Sequence, residues 1–136
     1  MNSRRIVITG MGVVSPLGCG VEAVWQRLLN GQSGIRPLPE AIVADLQVKV
    51  GGQVPSQEQD AEAGFNPDLS VAPKDQKKMD RFILFAMAAA DEAIRQAGWV
   101  ADTEEKQERT ATVIASGIGG FPAIAHAVVS ASDISP

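Results

Sequence analysis

The sequence predicts an α/β fold, and three features carry that reading. Two short β-branched runs, "RIVIT" at 5–9 and "TATVIAS" at 110–116, each run into a glycine. Two stretches between them, 20–31 and 79–98, place apolar residues at helical spacing. A further helix start, "FPAIAHAVV", follows the second run. Strand, helix, helix, strand, helix is the order of an α/β layer with parallel strands.

Taken in order, residues 5–9 read as a buried strand, short, apolar and ended by Gly10. In "GVEAVWQRLLNG", Val21, Val24, Trp25, Leu28 and Leu29 fall at i, i+3, i+4, i+7 and i+8. They form one apolar face of an amphipathic helix, and Gly31 suits its left-handed cap. Residues 33–78 read as an irregular excursion. Within it, Leu46, Val48 and Val50 alternate with polar residues and suggest a short strand before Gly51 and Gly52. "PSQEQDAEAGFNPDLSVAP", at 55–73, is rich in proline and acid and reads as loop. From Pro73 the pattern is helical, first "PKDQKK" and then "MDRFILFAMAAADEAIRQAGW". The second is apolar nearly all round from Phe82 to Ala90, which predicts a buried helix. Ala86, Ala90, Ala93 and Ala97 give it a ridge of small residues for close packing, and Gly98 can cap it. "ADTEEKQER" reads as a solvated connector. Residues 110–116 read as a second buried strand, and Pro122 sits in the first turn of the helix after it.

Composition narrows the function classes. The chain has 136 residues, 45% hydrophobic and 21% charged, enough for one globular domain. Its net charge of −4, with no long run of one sign, argues against a nucleic-acid partner. The longest apolar run, 82–90, is too short to span a bilayer, and no secretory signal is read at the start. The single cysteine permits no intrachain disulfide, and the single histidine, His126, makes a conventional zinc site improbable. A soluble cytoplasmic protein is the expectation.

Four motifs bear on function. Gly10-x-Gly12 after a strand invites a dinucleotide-binding reading, but that fingerprint needs a third glycine where Ser15 stands, with Pro16 next. A tight strand-to-loop turn explains these glycines better. Cys19, just before the first helix, lies where a thiol can be activated, but a small loop residue is the plainer account. Lys74, Lys77 and Lys78, with Arg81 a turn on, form a basic face in an acidic chain. That face is either a solvated helix start or a docking patch for an acidic partner. "SGIGG" sets Ile118 between glycines at the end of the second run, as a turn or as the wall of a pocket for an apolar ligand.

The stretches "RRIVITGMGVVSPLG", "VWQRLLNGQSGI", "KDQKKMDRF" with its alanine-rich helix, and "ASGIGG" together resemble the N-terminal part of a β-ketoacyl-[acyl-carrier-protein] synthase, most closely the type II, fatty-acid-elongating kind. They keep the family's order and spacing over residues 4 to about 120. The resemblance implies an incomplete N-terminal domain at 1–136, the partial N-terminal half of a thiolase-like fold of α/β/α/β/α layers. It implies decarboxylative Claisen condensation of acyl- and malonyl-carrier protein at a cysteine thiolate, with two histidines and no metal or dissociable cofactor. The acyl carrier protein is the implied partner, and a homodimer the implied state of the whole protein. Carried over residue by residue, Lys74, Lys77 and Lys78 fall in the carrier-docking stretch and Ile118 at the acyl-pocket gate. The family's catalytic cysteine and histidines match no position here, Cys19 and His126 included, so the chain alone is expected to be inactive. "AHAVVSASDISP" follows the family poorly. A non-catalytic carrier-binding or assembly module is the competing expectation, and a nucleotide-binding domain the third.

Overall fold

The computed structural model describes residues 5–132 as a mixed α/β chain. A tight antiparallel pair, β1 (Val14–Ser15) and β2 (Gly18–Cys19), opens it. The Ser15 hydroxyl accepts from the Leu17 N–H at 3.1 Å and donates to the Gly18 carbonyl, closing the turn. Helix α1 (Val21–Leu29) follows and ends where Gly31 adopts a left-handed φ of 67°, as its sequence predicts. A second antiparallel pair joins β3 (Ile35–Pro37) to β4 (Val50–Gly52), with α2 (Glu40–Val43) in the connection. Of the alternating residues Leu46, Val48 and Val50, only Val50 enters the ladder. A 3-10 turn at Pro67–Leu69, begun by Asn66 accepting from the Asp68 N–H, leads to the single-turn α3 (Pro73–Gln76).

Helix α4 (Arg81–Ala97) is the longest element and ends on the left-handed Gly98. The stretch expected as a bare connector holds α5 (Glu104–Glu108), because Thr103 accepts from the Lys106 N–H and starts a turn there. Helix α6 (Phe121–Ser132) begins with Pro122 in its first turn, as expected.

Two expectations are corrected. Neither 5–9 nor 110–116 enters a ladder among the described residues. Both are exposed, Ile6 by 97% and Val113 by 91%. A parallel strand needs hydrogen-bonded neighbours and apolar cover on both faces, and no described element supplies either here. Helix α4, expected to be buried, holds no buried residue. It packs through one face only: Ala89, Ala93 and Ala97 turn towards the Gly10–Gly12 backbone, whereas Ala86 and Ala90 are exposed.

The apolar core is correspondingly small. Val24, Val43, Ala63, Phe65 and Val71 are buried, and Phe65 meets Phe85 of α4 edge to face with ring centroids 4.8 Å apart. The accessible surface of 11015 Å² far exceeds the roughly 6800 Å² of a compact monomer of this mass. Ile6, Val7, Ile8, Val113 and Ile114 are all open to solvent, and unpaired β-branched backbone of this kind templates pairing with other chains. The purified chain is therefore expected to self-associate as its concentration rises. Sedimentation velocity across a dilution series checks this; a single monomeric species at every concentration would contradict it.

Candidate functional site

The glycines at 10 and 12 serve packing. A β-carbon on Gly10 would lie 2.1 Å from the Ala93 carbonyl oxygen, and one on Gly12 only 1.8 Å from that of Ala89. Only glycine lets the two backbones approach so closely. The amides that a phosphate would require are taken. Met11 N–H donates to Gln96 Oε1 at 2.6 Å and Val13 N–H to Glu92 Oε2 at 3.0 Å. The first helical amide of α1, at Val21, donates to Glu92 Oε1 at 2.7 Å. A carboxylate thus occupies the N-terminus of α1, where a pyrophosphate would have to sit, and the nucleotide reading falls on that ground.

Beside this seam lies an open apolar groove of about 760 Å³, walled by Met11, Val13, Val21, Trp25 and Leu28. Cys19 is half-buried, and burial pushes its thiol up, with Glu92 and then Asp60 adding to the effect. That is the wrong direction for a nucleophile, which must be a thiolate. His126 lies in α6 with Nδ1 3.3 Å from the Ser130 hydroxyl of the next turn. Among the described residues, no cluster of three or more histidine, cysteine or acidic side chains is placed to hold a metal ion.

The four residues singled out for docking and gating lie on two segments. Lys74 is in α3, and Lys77 and Lys78 are in the turn that follows; all three are exposed. Lys78 Nζ is 3.6 Å from Asp75 Oδ1, an exposed pair of little energetic weight. Arg81 stands apart from this face: its guanidinium lies 5.2 Å from the Phe85 ring centroid and donates to the Val54 carbonyl. Ile118 is 74% exposed, in a bend completed by the left-handed Gly119 (φ 65°) and Gly120 (φ 55°).

The two segments meet at the start of α4. A β-carbon on Gly119 would lie 2.9 Å from Phe82 Cζ, and one on Gly120 would lie 3.0 Å from Asp80 Oδ2. The Ile118 bend thus rests on the residues that directly follow the lysines. Sequence reasoning gave Asp80 and Phe82 no role. The available signal was an aspartate immediately ahead of an apolar helix, the pattern of a helix boundary.

The family model described as "Beta-ketoacyl synthase, N-terminal domain" matches residues 3–135. The chain is 45% identical over 133 residues to the 3-oxoacyl-[acyl-carrier-protein] synthase 2 of Rhizobium meliloti (strain 1021), covering 98% of this chain and 31% of that protein. It is 38% identical over 122 residues to the protein of the same name from Coxiella burnetii, covering 90% and 27%. With the mitochondrial 3-oxoacyl-[acyl-carrier-protein] synthase of Arabidopsis thaliana it shares 38% identity over 136 residues, covering 91% and 29%. The chain spans about a third or less of the length of these curated relatives.

Proposed function

The chain belongs to the β-ketoacyl synthase family, and from that premise we propose that it provides the N-terminal part of a fatty-acid-elongating condensing enzyme. The reaction is the decarboxylative Claisen condensation of acyl- and malonyl-carrier protein. The part proposed for these residues is to receive the carrier and line the acyl pocket. Lys74, Lys77 and Lys78 steer and hold an acidic carrier protein. Ile118, apolar and set between glycines, faces the acyl chain. Neither Cys19 nor His126 is assigned a catalytic role; for Cys19, burial and two carboxylates disfavour the thiolate. Dimerisation belongs to the same proposal and to the protein as a whole.

The observation that carries this reading is the meeting of the lysine stretch with the Ile118 bend at Asp80 and Phe82. A pocket gate that must respond to an arriving acyl chain belongs beside the surface that receives the carrier. None of the helices among the described residues is long and apolar enough to cross a bilayer.

The test is titration of the chain with an acyl-carrier protein at low and at moderate salt. Binding is expected to weaken with salt and to fall at least about tenfold when Lys77→Glu and Lys78→Glu are combined. The fold should be unaffected, because both side chains are exposed. No binding at low salt, or equal binding by the double variant, overturns the docking assignment.

A further inference from the structure

The geometry points to a phosphate-binding site at Arg81, between the start of α4 and the segment that follows β4. Its ligand is a small molecule with a phosphate held by Arg81 and a second anionic group met by Arg36. The site is independent of the docking reading above and stands whether or not the lysines receive a carrier protein. A cavity of about 480 Å³ is walled by Arg81 and Phe85 of α4 and by Gln53, Val54, Ser56 and Gln59. A second cavity, of about 370 Å³, shares Gln53 and Gln59 with the first and adds Arg36 of β3, with Leu38 and Pro39 as apolar wall. The two are neighbours across the glutamines, with one arginine in each. The chain carries 16 aspartates and glutamates against 12 lysines and arginines, yet neither cavity has a carboxylate in its lining.

The Arg81 guanidinium is held in place before any ligand arrives. It lies 5.2 Å from the Phe85 ring centroid, and that ring is itself met edge to face by Phe65. Its Nη2 donates to the Val54 carbonyl at 3.4 Å. Arg27, Arg95 and Arg109 each pair with an acidic side chain, whereas Arg81 and Arg36 pair with none among the described residues. A planar guanidinium placed over an aromatic ring and tied at one nitrogen keeps its remaining N–H groups for an oxyanion. Beside it, Gln59 Oε1 accepts from the Ser56 N–H at 3.0 Å, which fixes the side chain and leaves Nε2 to donate. The Ser56 hydroxyl is likewise unengaged among the described residues. Donors without acids select an anion, because a hard cation needs negatively charged oxygen ligands. A phosphate has three terminal oxygens for the fork, the hydroxyl and the amide together, where a carboxylate has two. A bare phosphate ion fills little of the first cavity, which has the volume of a small-molecule site. The body of the ligand and its second charge therefore belong in the neighbouring cavity with Arg36.

Nuclear magnetic resonance of the full chain tests the site. The Arg81 guanidinium and the Gln53 and Gln59 side-chain amides are followed while inorganic phosphate, a hexose bisphosphate, the unphosphorylated hexose or acetate is added at constant ionic strength. Both phosphates should give saturable shifts at these three side chains, with the bisphosphate at least about tenfold tighter. Arg81→Gln should weaken both by at least about tenfold. Arg36→Gln should return the bisphosphate to the affinity of inorganic phosphate and leave the latter unchanged. Arg109→Gln, which removes an exposed arginine in the turn that ends α5, should alter neither. Shifts that do not saturate, or that persist in Arg81→Gln, make the association adventitious and overturn the site. Acetate or the plain hexose binding as tightly as phosphate overturns the assignment of a phosphate. A bisphosphate no tighter than phosphate, or indifferent to Arg36→Gln, overturns the second anionic group. Should Arg81→Gln fail to fold, the wild-type guanidinium signal, shifted by phosphate or unmoved, decides the role of Arg81.

Discussion

Gly12→Ala is expected to cost about 3–5 kcal/mol and to leave the chain without a cooperative unfolding transition. The added methyl would lie 1.8 Å from the Ala89 carbonyl oxygen, 2.8 Å from the Ala89 carbonyl carbon and 3.1 Å from the Ala93 nitrogen. All three are backbone atoms of α4, so no rotamer change relieves the clash; the helix or the 10–13 segment must move away. Separation breaks the Met11–Gln96 and Val13–Glu92 hydrogen bonds. It also disturbs Glu92, which holds the first amide of α1. Because Gly12 does not have a positive φ, the requirement is for space alone. Gly117→Ala is the matched control, with neither a positive φ nor an atom within 4 Å, and should change stability by less than about 0.5 kcal/mol. Urea denaturation followed by circular dichroism checks the pair. A Gly12→Ala transition close to that of the wild type would show that α4 is not seated through this glycine.

The features legible in the sequence are those whose causes are local. Helix α1 with its Gly31 cap, the cap of α4 at Gly98 and the proline start of α6 follow from spacing and from the conformational limits of glycine and proline. The strands expected at 5–9 and 110–116 have the composition of buried strands, but composition does not supply the neighbours that bury them. The reverse error falls at 55–73. Its prolines and acids read as loop, yet Ala63, Phe65 and Val71 are buried there. Asp60, in the same stretch, finds its partner Arg27 at a separation of 33 residues, which no local pattern announces. The candidate site divides in the same way. Lys74, Lys77, Lys78 and Ile118 each stand out by residue type, but the contact of Phe82 with Gly119 is a product of tertiary packing. The glycines at 10 and 12 were legible as special, and their reason lay in a helix some eighty residues away.

Asp60→Ala should be the most damaging change outside the glycine seam, costing about 2–4 kcal/mol at neutral pH. The Arg27 guanidinium pairs with both carboxylate oxygens of Asp60, its Nη2 lying 3.1 Å from Oδ1, and also donates from Nη1 to the Leu17 carbonyl at 2.6 Å. Asp60 Oδ1 in turn accepts from the Glu62 and Ala63 amides. The two side chains are only 15% and 13% exposed, so one group ties α1 to the turn of the first hairpin and to the 55–73 segment in a poorly solvated place. Removing the carboxylate leaves Arg27 with the Leu17 carbonyl and the solvent-exposed Glu62 at 3.6 Å. The same pair sets a pH dependence. The Arg27 hydrogen bond, helped by the Ala63 amide, lowers the Asp60 carboxyl from 3.8 to about 2. A carboxyl that is more acidic in the folded state stabilises fully above the unfolded value and loses that contribution as pH falls through the folded one. About 2 kcal/mol is therefore expected to disappear between about pH 4 and pH 2. In Asp60→Asn, which retains an acceptor for the two amides but does not titrate, this part of the acid loss should be absent. Urea titrations at several pH values across that window compare the two chains directly. Parallel losses would place the acid sensitivity elsewhere, whereas a flatter profile in the asparagine variant assigns it to the carboxylate that fastens α1 to the excursion.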